Sequence, residues 1–366
     1  MVGVDDVSFL YPIPTEPKQR LSLLGANDSG GRGDLLPMDV LRALPPLDTI
    51  QPNSDSYYLL RVVSVRVDPC FPGLDVKDEG DCKNQVRLVM QPVVLKAKEP
   101  GLTTMDLAVH LFYELTREQI AGLLQELTEL REGSKIERSD GPVGVHPALV
   151  REGIEGRFAS AVRSLLLANV GRENLTRVTF MGVEQVGQVW RFGGFDIEGG
   201  KLVPMRIPLV EVTEETFQNR DLRGATFDSS STAPLSPAVD DIRLLFDPAA
   251  LSAATNDQRR AAYQHALRIE NPTIHSPVTM DCATCHITMA ARRFAERAYG
   301  LSPDGFADVY SHPRNLPLEG ATVAMTNELR AFGYFNDRPS ISQRAVNETA
   351  QVVEHVNTVV RTPAGR

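Results

Sequence analysis

Apolar and polar positions alternate through the first half of the chain, and the period changes in the second. Ser56 to Val67 is β-branched and partly alternating, which predicts a strand. Gln85 to Val93 predicts its antiparallel return, and Met105 to Leu115 a further strand. In Thr116-Arg117-Glu118-Gln119 a hydroxyl and an amide stand three residues apart. That is a capping box opening a helix over Ile120–Leu130, stopped by Gly133. Ile154, Phe158, Val162, Leu165 and Leu166 recur at helical spacing and predict a second helix from about Pro147 to Asn169, ended by Gly171. Strands follow over Leu175–Val183, Val189–Gly193, Phe195–Ile197 and Leu202–Val210, with Gly199-Gly200 as a hairpin turn. Strands, then two helices, then strands predict an α+β domain built on an antiparallel sheet over residues 56–211.

The flanks differ in character. Residues 1–55 are rich in Pro, Gly, Asp and Ser and predict an extended N-terminal arm. Residues 212–240 are dominated by Thr, Ser, Pro, Asn and Asp and predict a linker. Residues 241–366 read as a mainly helical domain. Thr255-Asn256-Asp257-Gln258 is a second capping box, opening a helix to about Ile269. Further helices are predicted over Ile287–Tyr299, near Leu318–Phe332, and from Ser342 to about Val359. At 366 residues the chain exceeds one typical core, so two domains or one elaborated domain are expected.

The chemistry is concentrated in Cys282-Ala283-Thr284-Cys285-His286. C-x-x-C-H reads as a covalent attachment site for c-type haem. Two thiols three positions apart each add to a vinyl group of the porphyrin, and the histidine that follows falls under the iron as proximal ligand. Two cysteines at this spacing also suit a disulfide, a redox pair or half a zinc site. Zinc is disfavoured because Cys70 and Cys82 lie about two hundred residues away. A thioredoxin-like pair wants a preceding apolar strand. The approach here is instead Asn271-Pro272-Thr273-Ile274-His275-Ser276-Pro277.

Cys70 and Cys82 bound a Pro-Gly turn and an acidic tip, a pattern that predicts a disulfide closing a loop between strands. Closing so short a loop adds on the order of 3 kcal/mol in the chain-entropy view. The same pattern also admits two free, unrelated thiols. His110 and His146 stand without a neighbouring partner group and read as structural.

The net charge of −9 argues against nucleic-acid or anionic-membrane partners, which want a basic face. No stretch reaches the roughly 18 apolar residues of a membrane span. The start, Met1-Val2-Gly3-Val4-Asp5-Asp6, has neither the basic region nor the apolar run of a signal peptide. Because haem c attachment takes place outside the cytoplasm, the expectation is a mature periplasmic or envelope form with its leader cleaved. The chain shows no internal repeat, Gly-rich phosphate loop or Ser-His-Asp signature.

Cys282, Cys285 and His286 resemble the attachment site of c-type cytochromes, and the run His275 to His286 is similar to segments of multihaem cytochromes. The likeness covers about twelve residues and implies one haem c, with thioethers at Cys282 and Cys285 and His286 on the iron. In the multihaem proteins an upstream histidine often ligates a neighbouring haem; a single C-x-x-C-H leaves that role without a partner in this chain.

The sixth iron ligand separates electron transfer from peroxide or small-gas chemistry. Met325, His275, His312 and His355 are the candidates placed far enough along the chain to reach round the porphyrin. The favoured function is an extracytoplasmic monohaem cytochrome, or a cytochrome-bearing subunit. It would act in electron transfer or assembly, docked on a redox partner or a larger envelope structure, and is more an electron carrier or structural part than an enzyme. The alternatives are a disulfide-stapled secreted binding protein and a haem peroxidase-like enzyme.

Overall fold

A computed structural model describes residues 1–45, 54–69, 83–184, 189–221, 227, 240–316, 318, 320–322 and 329–360. The chain begins with α1 (Val4–Val7) and β1 (Ser8–Leu10), a small hairpin of β2 (Ser29–Gly30) and β3 (Gly33–Asp34), then α2 (Met38–Ala43) and α3 (Ser54–Leu59). The central run is β4 (Leu60–Asp68), β5 (Gln85–Leu95), β6 (Leu102–Thr104), β7 (Leu107–Glu114), α4 (Arg117–Gly133), α5 (Pro147–Glu152) and α6 (Arg157–Asn169). Next come β8 (Leu175–Glu184), β9 (Val189–Glu198), β10 (Lys201–Pro204) and β11 (Glu214–Gln218). The last part holds α7 (Pro248–Ala253), α8 (Asn256–Ile269), α9 (Cys282–Tyr299), the hairpin β12 (Phe332–Phe335) and β13 (Arg338–Ile341), and α10 (Gln343–His355).

The fold is α+β. One antiparallel sheet runs in the order β1-β4-β5-β7-β8-β9-β10, with β6 added to β5 and β11 added to β9. Its two faces follow from the register. Phe9, Val65, Leu88, Leu111, Val178 and Phe195 form one cross-strand row. The aromatic stack of Phe9, His146 and Phe158, with ring centroids 5.3 and 4.2 Å apart, seats α6 on that apolar face. The opposite face carries Arg66, Arg87, Phe112, Arg177 and Asp196 in one row and Ser64, Val89, His110, Thr179 and Gly194 in the next. A sheet face this polar ordinarily meets water. Here the C-terminal elements cover it. Thr349 Oγ1 donates to Ser8 Oγ at 2.9 Å, Ser64 Oγ donates to the Phe332 carbonyl at 3.1 Å, and Arg66 pairs with Glu348 at 2.8 Å.

Several sequence expectations change at this level. The N-terminal arm packs on the sheet and adds a strand to it: β1 is a buried edge strand, and Val2, Val7 and Phe9 are fully buried. The stretch expected as a linker contains β11, paired with β9, and Phe217 and Phe227 stack in the core with Phe246. A single apolar core joins the two predicted domains. The long helix expected over 147–169 is two, because Gly153 takes φ 74° and turns the chain between them. The helix expected near Leu318–Phe332 is not seen in the described part of that range, and Phe332 begins a strand. Both capping boxes are present, Gln119 N donating to Thr116 Oγ1 and Gln258 N to Thr255 Oγ1. No helix of the described residues is long and apolar enough to cross a membrane. Cys70, Cys82 and Met325 lie outside the described residues.

Candidate functional site

The C-x-x-C-H run is the first turn of α9. Asp281 caps it: one carboxylate oxygen accepts from Thr284 N at 2.8 Å and the other from Thr284 Oγ1 at 2.7 Å. Gly300, at φ 63°, closes the far end. The approach is pinned by His275, whose Nε2 meets Asp240 Oδ2 at 2.7 Å and whose Nδ1 meets Thr279 Oγ1 at 3.2 Å. On this scaffold Cys282, Cys285 and His286 all open into one cavity of about 310 Å³.

The cavity lies between the polar face of the sheet and the helices that cover it. Arg87, His110 and Thr179 rise from the sheet side, and Arg344 and Glu348 descend from α10. Its mouth opens between the loops 205–208 and 277–280, where Arg206 and Val278 are exposed and Met205 and Met280 are buried.

The His286 ring is oriented from two sides. Its Nδ1 meets the Leu329 carbonyl at 2.6 Å, and the Phe192 ring lies 5.1 Å away at 37°. A carbonyl only accepts, so Nδ1 carries the proton and Nε2 the lone pair. This is how a metal-ligating histidine is usually held. Burial lowers the pKa of the ring, against the opposing pull of the Leu329 bond, which favours the neutral form a ligand needs.

The two thiols are free, with no disulfide between them. A helix N-terminus normally lowers a thiol pKa. Here burial wins. It raises Cys282, with Glu215 and Cys285 adding to the effect, and it pushes Cys285 up to about 11. Both therefore stay protonated at neutral pH, unlike the activated thiolates of redox pairs. Glu215, from β11, accepts from Ala283 N at 2.9 Å. Burial and then Asp281 push it up to about 9, so it also stays neutral.

Four arginines crowd the inner wall. Arg66 and Arg344 share Glu348, at 2.8 and 2.7 Å, and Arg87 reaches Asp68 at 3.0 Å. Arg177 pairs with Asp196 at 2.6 Å. Burial opposes a charge on Glu348, but Arg344, Arg66 and Arg87 hold its carboxyl down at about 2. Arg66 Nη2 and Arg87 Nε, both shut off from water, have no hydrogen-bond partner. Such donors are costly to leave unmade.

The three sequence-nominated distal ligands that are described, His275, His312 and His355, are not brought to this cavity. His275 has both ring nitrogens engaged against Asp240 and Thr279. His312 accepts from Arg314 N at 3.1 Å and turns its Nε2 toward Glu354 at 3.6 Å. His355 ends α10, and neither it nor His275 nor His312 lines the cavity. Met325 is not among the described residues. His146 is the N-cap of α5, accepting from Ala148 N at 3.0 Å.

The structure brings in instead His110, which sequence spacing leaves without a partner. A signal was available in the strand pattern. His110, Arg66, Arg87 and Arg177 sit at inner positions of β-rich runs, all on one side of the pleat.

Among the described residues no group of three or more His, Cys, Asp and Glu side chains could hold a metal ion. No protein-family model, curated protein or solved structure matches the chain.

Proposed function

We propose that the chain is a monohaem c-type cytochrome or a cytochrome-bearing subunit, acting outside the cytoplasm as an electron carrier within a larger envelope assembly. The observation that carries the reading is the joint opening of Cys282, Cys285 and His286 into one cavity, with Nδ1 of His286 tied to Leu329 and Nε2 left as a ligand. Haem c, when bound, supplies one-electron exchange at its iron.

The chain's own groups suit that cofactor. Cys282 and Cys285 would hold the haem through thioethers, each thiol adding across a vinyl group with its proton passing to the neighbouring vinyl carbon, so the attachment would need no oxidant. Val89, Phe112, Met280 and Phe332 supply apolar wall. Arg66, Arg87 and Arg344 put positive charge on the cavity wall, which suits the two porphyrin carboxylates. Arg206 and Val278 leave one side open to solvent, where a redox partner can approach. Protonated thiols do not suit a redox pair.

The test is a haem-stained denaturing gel of protein matured with a haem-attachment system. The wild type should stain after boiling in detergent, and the Cys282→Ala, Cys285→Ala double variant should not. Equal staining of both, or of neither while a control cytochrome stains, removes the reading.

A further inference from the structure

His110 is a half-buried imidazole in the middle of β7, and it lines the same cavity as His286. The two reach it from different layers, one from the sheet and one from α9. The chain has seven histidines, and the other six are each engaged. His146 caps α5, His265 faces the Asp241 carbonyl, His275 is held by Asp240 and Thr279, and His286 by Leu329. His312 is held by Arg314, and His355 also has a partner. The His110 ring has no hydrogen-bond partner among the described residues. Its strand neighbours in the row are Val89 and Thr179, and Arg87 is stacked on Phe112 at 4.7 Å rather than turned to the imidazole. The ring is half-buried and lines the cavity, where a ligand can engage it.

We propose that His110 is the second axial ligand of the iron, an assignment that rests on haem being attached at Cys282 and Cys285. Among the described residues no hydrogen bond takes up either ring nitrogen, which leaves a lone pair for the metal. The ligand set is then two imidazoles, one from each layer of the fold. The iron joins the sheet to α9, and the sixth position is closed to small molecules. This accounts for the size of the α+β part, because the sheet supplies one of the two ligands. It also makes the site an electron-transfer site rather than one for peroxide or gas.

The test uses the full chain matured with a haem-attachment system. Visible and electron paramagnetic resonance spectra of the wild type should be low-spin. Near-infrared magnetic circular dichroism should give the histidine–histidine rather than the histidine–methionine signature. His110→Ala should become high-spin and bind carbon monoxide, and added imidazole should return it to low-spin. His110→Met should stay low-spin with a raised reduction potential. Met205→Leu and Met280→Leu, at the two methionines among the described residues of the lining, should leave the spectrum unchanged.

A wild type that is high-spin, or that gives the histidine–methionine signature, overturns the assignment while the haem reading stands. So does a folded His110→Ala that keeps the wild-type spectrum. Protein carrying no covalent haem overturns the haem reading itself. The wild-type signature decides the matter even if every His110 variant fails to fold.

Discussion

Glu348 offers the sharpest energetic handle on how the two layers are held together. It is 7% exposed and lies between Arg66 of the sheet and Arg344 of its own helix, at 2.8 and 2.7 Å. Burial alone would keep the carboxyl neutral, yet the arginines hold it at about 2, below its ordinary 4.5. A carboxyl shifted that far contributes on the order of 3 kcal/mol of stability, at ~1.4 kcal/mol for each tenfold change in proton affinity. Because the folded value is depressed, that contribution is complete above pH 4.5 and is lost as pH falls from 4.5 toward 2. Glu348→Gln leaves two buried guanidiniums facing a neutral amide. Breaking such a pair from one side costs about 3–5 kcal/mol. Urea unfolding of wild type and variant at neutral pH should show a deficit of that size with an unchanged denaturant slope. Repeated at stepwise lower pH, the deficit should shrink through the window below 4.5 as the wild type itself is protonated. A deficit under about 0.5 kcal/mol at pH 7, or one that stays constant as pH falls, would refute the coupling of sheet and helix through this carboxylate.

Glu215 behaves in the opposite sense. Burial raises it to about 9, so its contribution is complete below pH 4.5 and is lost as pH rises toward 9. Glu215→Gln should therefore be more stable than wild type at pH 8 and flatten the alkaline decline in melting temperature; a loss of stability at pH 8 contradicts this. Fragments from a single proteolytic cut between residues 228 and 239 should co-elute on gel filtration, because one core spans both sides of the cut. Fragments that separate without denaturant would show two independent units. Non-reducing peptide mapping of protein from its native compartment should find Cys70 and Cys82 on one linked peptide, and free thiols at both positions would exclude the disulfide.

Much of the secondary structure was legible because its signals are local. Thr116 with Gln119, and Thr255 with Gln258, announce helix starts within four residues, and both helices begin there. Gly199 and Gly200 take φ of 56° and 79° and make the tight turn their pairing implies. The misread segments depend on distant partners. β1 is three residues long, too short to show alternation, and exists because Ser8–Leu10 pairs with Ser64–Arg66. β11 sits among turn-forming residues and is held by β9.

The site divides the same way. The attachment run is contiguous and readable. His110 and the arginines become neighbours of Cys285 and His286 only once the register sets them in adjacent rows and α10 folds over the sheet. A histidine at an inner strand position, beside arginines on the same side of the pleat, is the pattern by which a sequence alone points to such a lined face.

The most direct measurement is the intact mass of the chain after expression in a periplasm equipped for haem attachment. The account predicts the polypeptide mass plus one haem, a shift that survives denaturation and acid extraction and is lost when Cys282 and Cys285 are both replaced. A mass equal to the bare polypeptide, obtained where a control cytochrome matures normally, contradicts it.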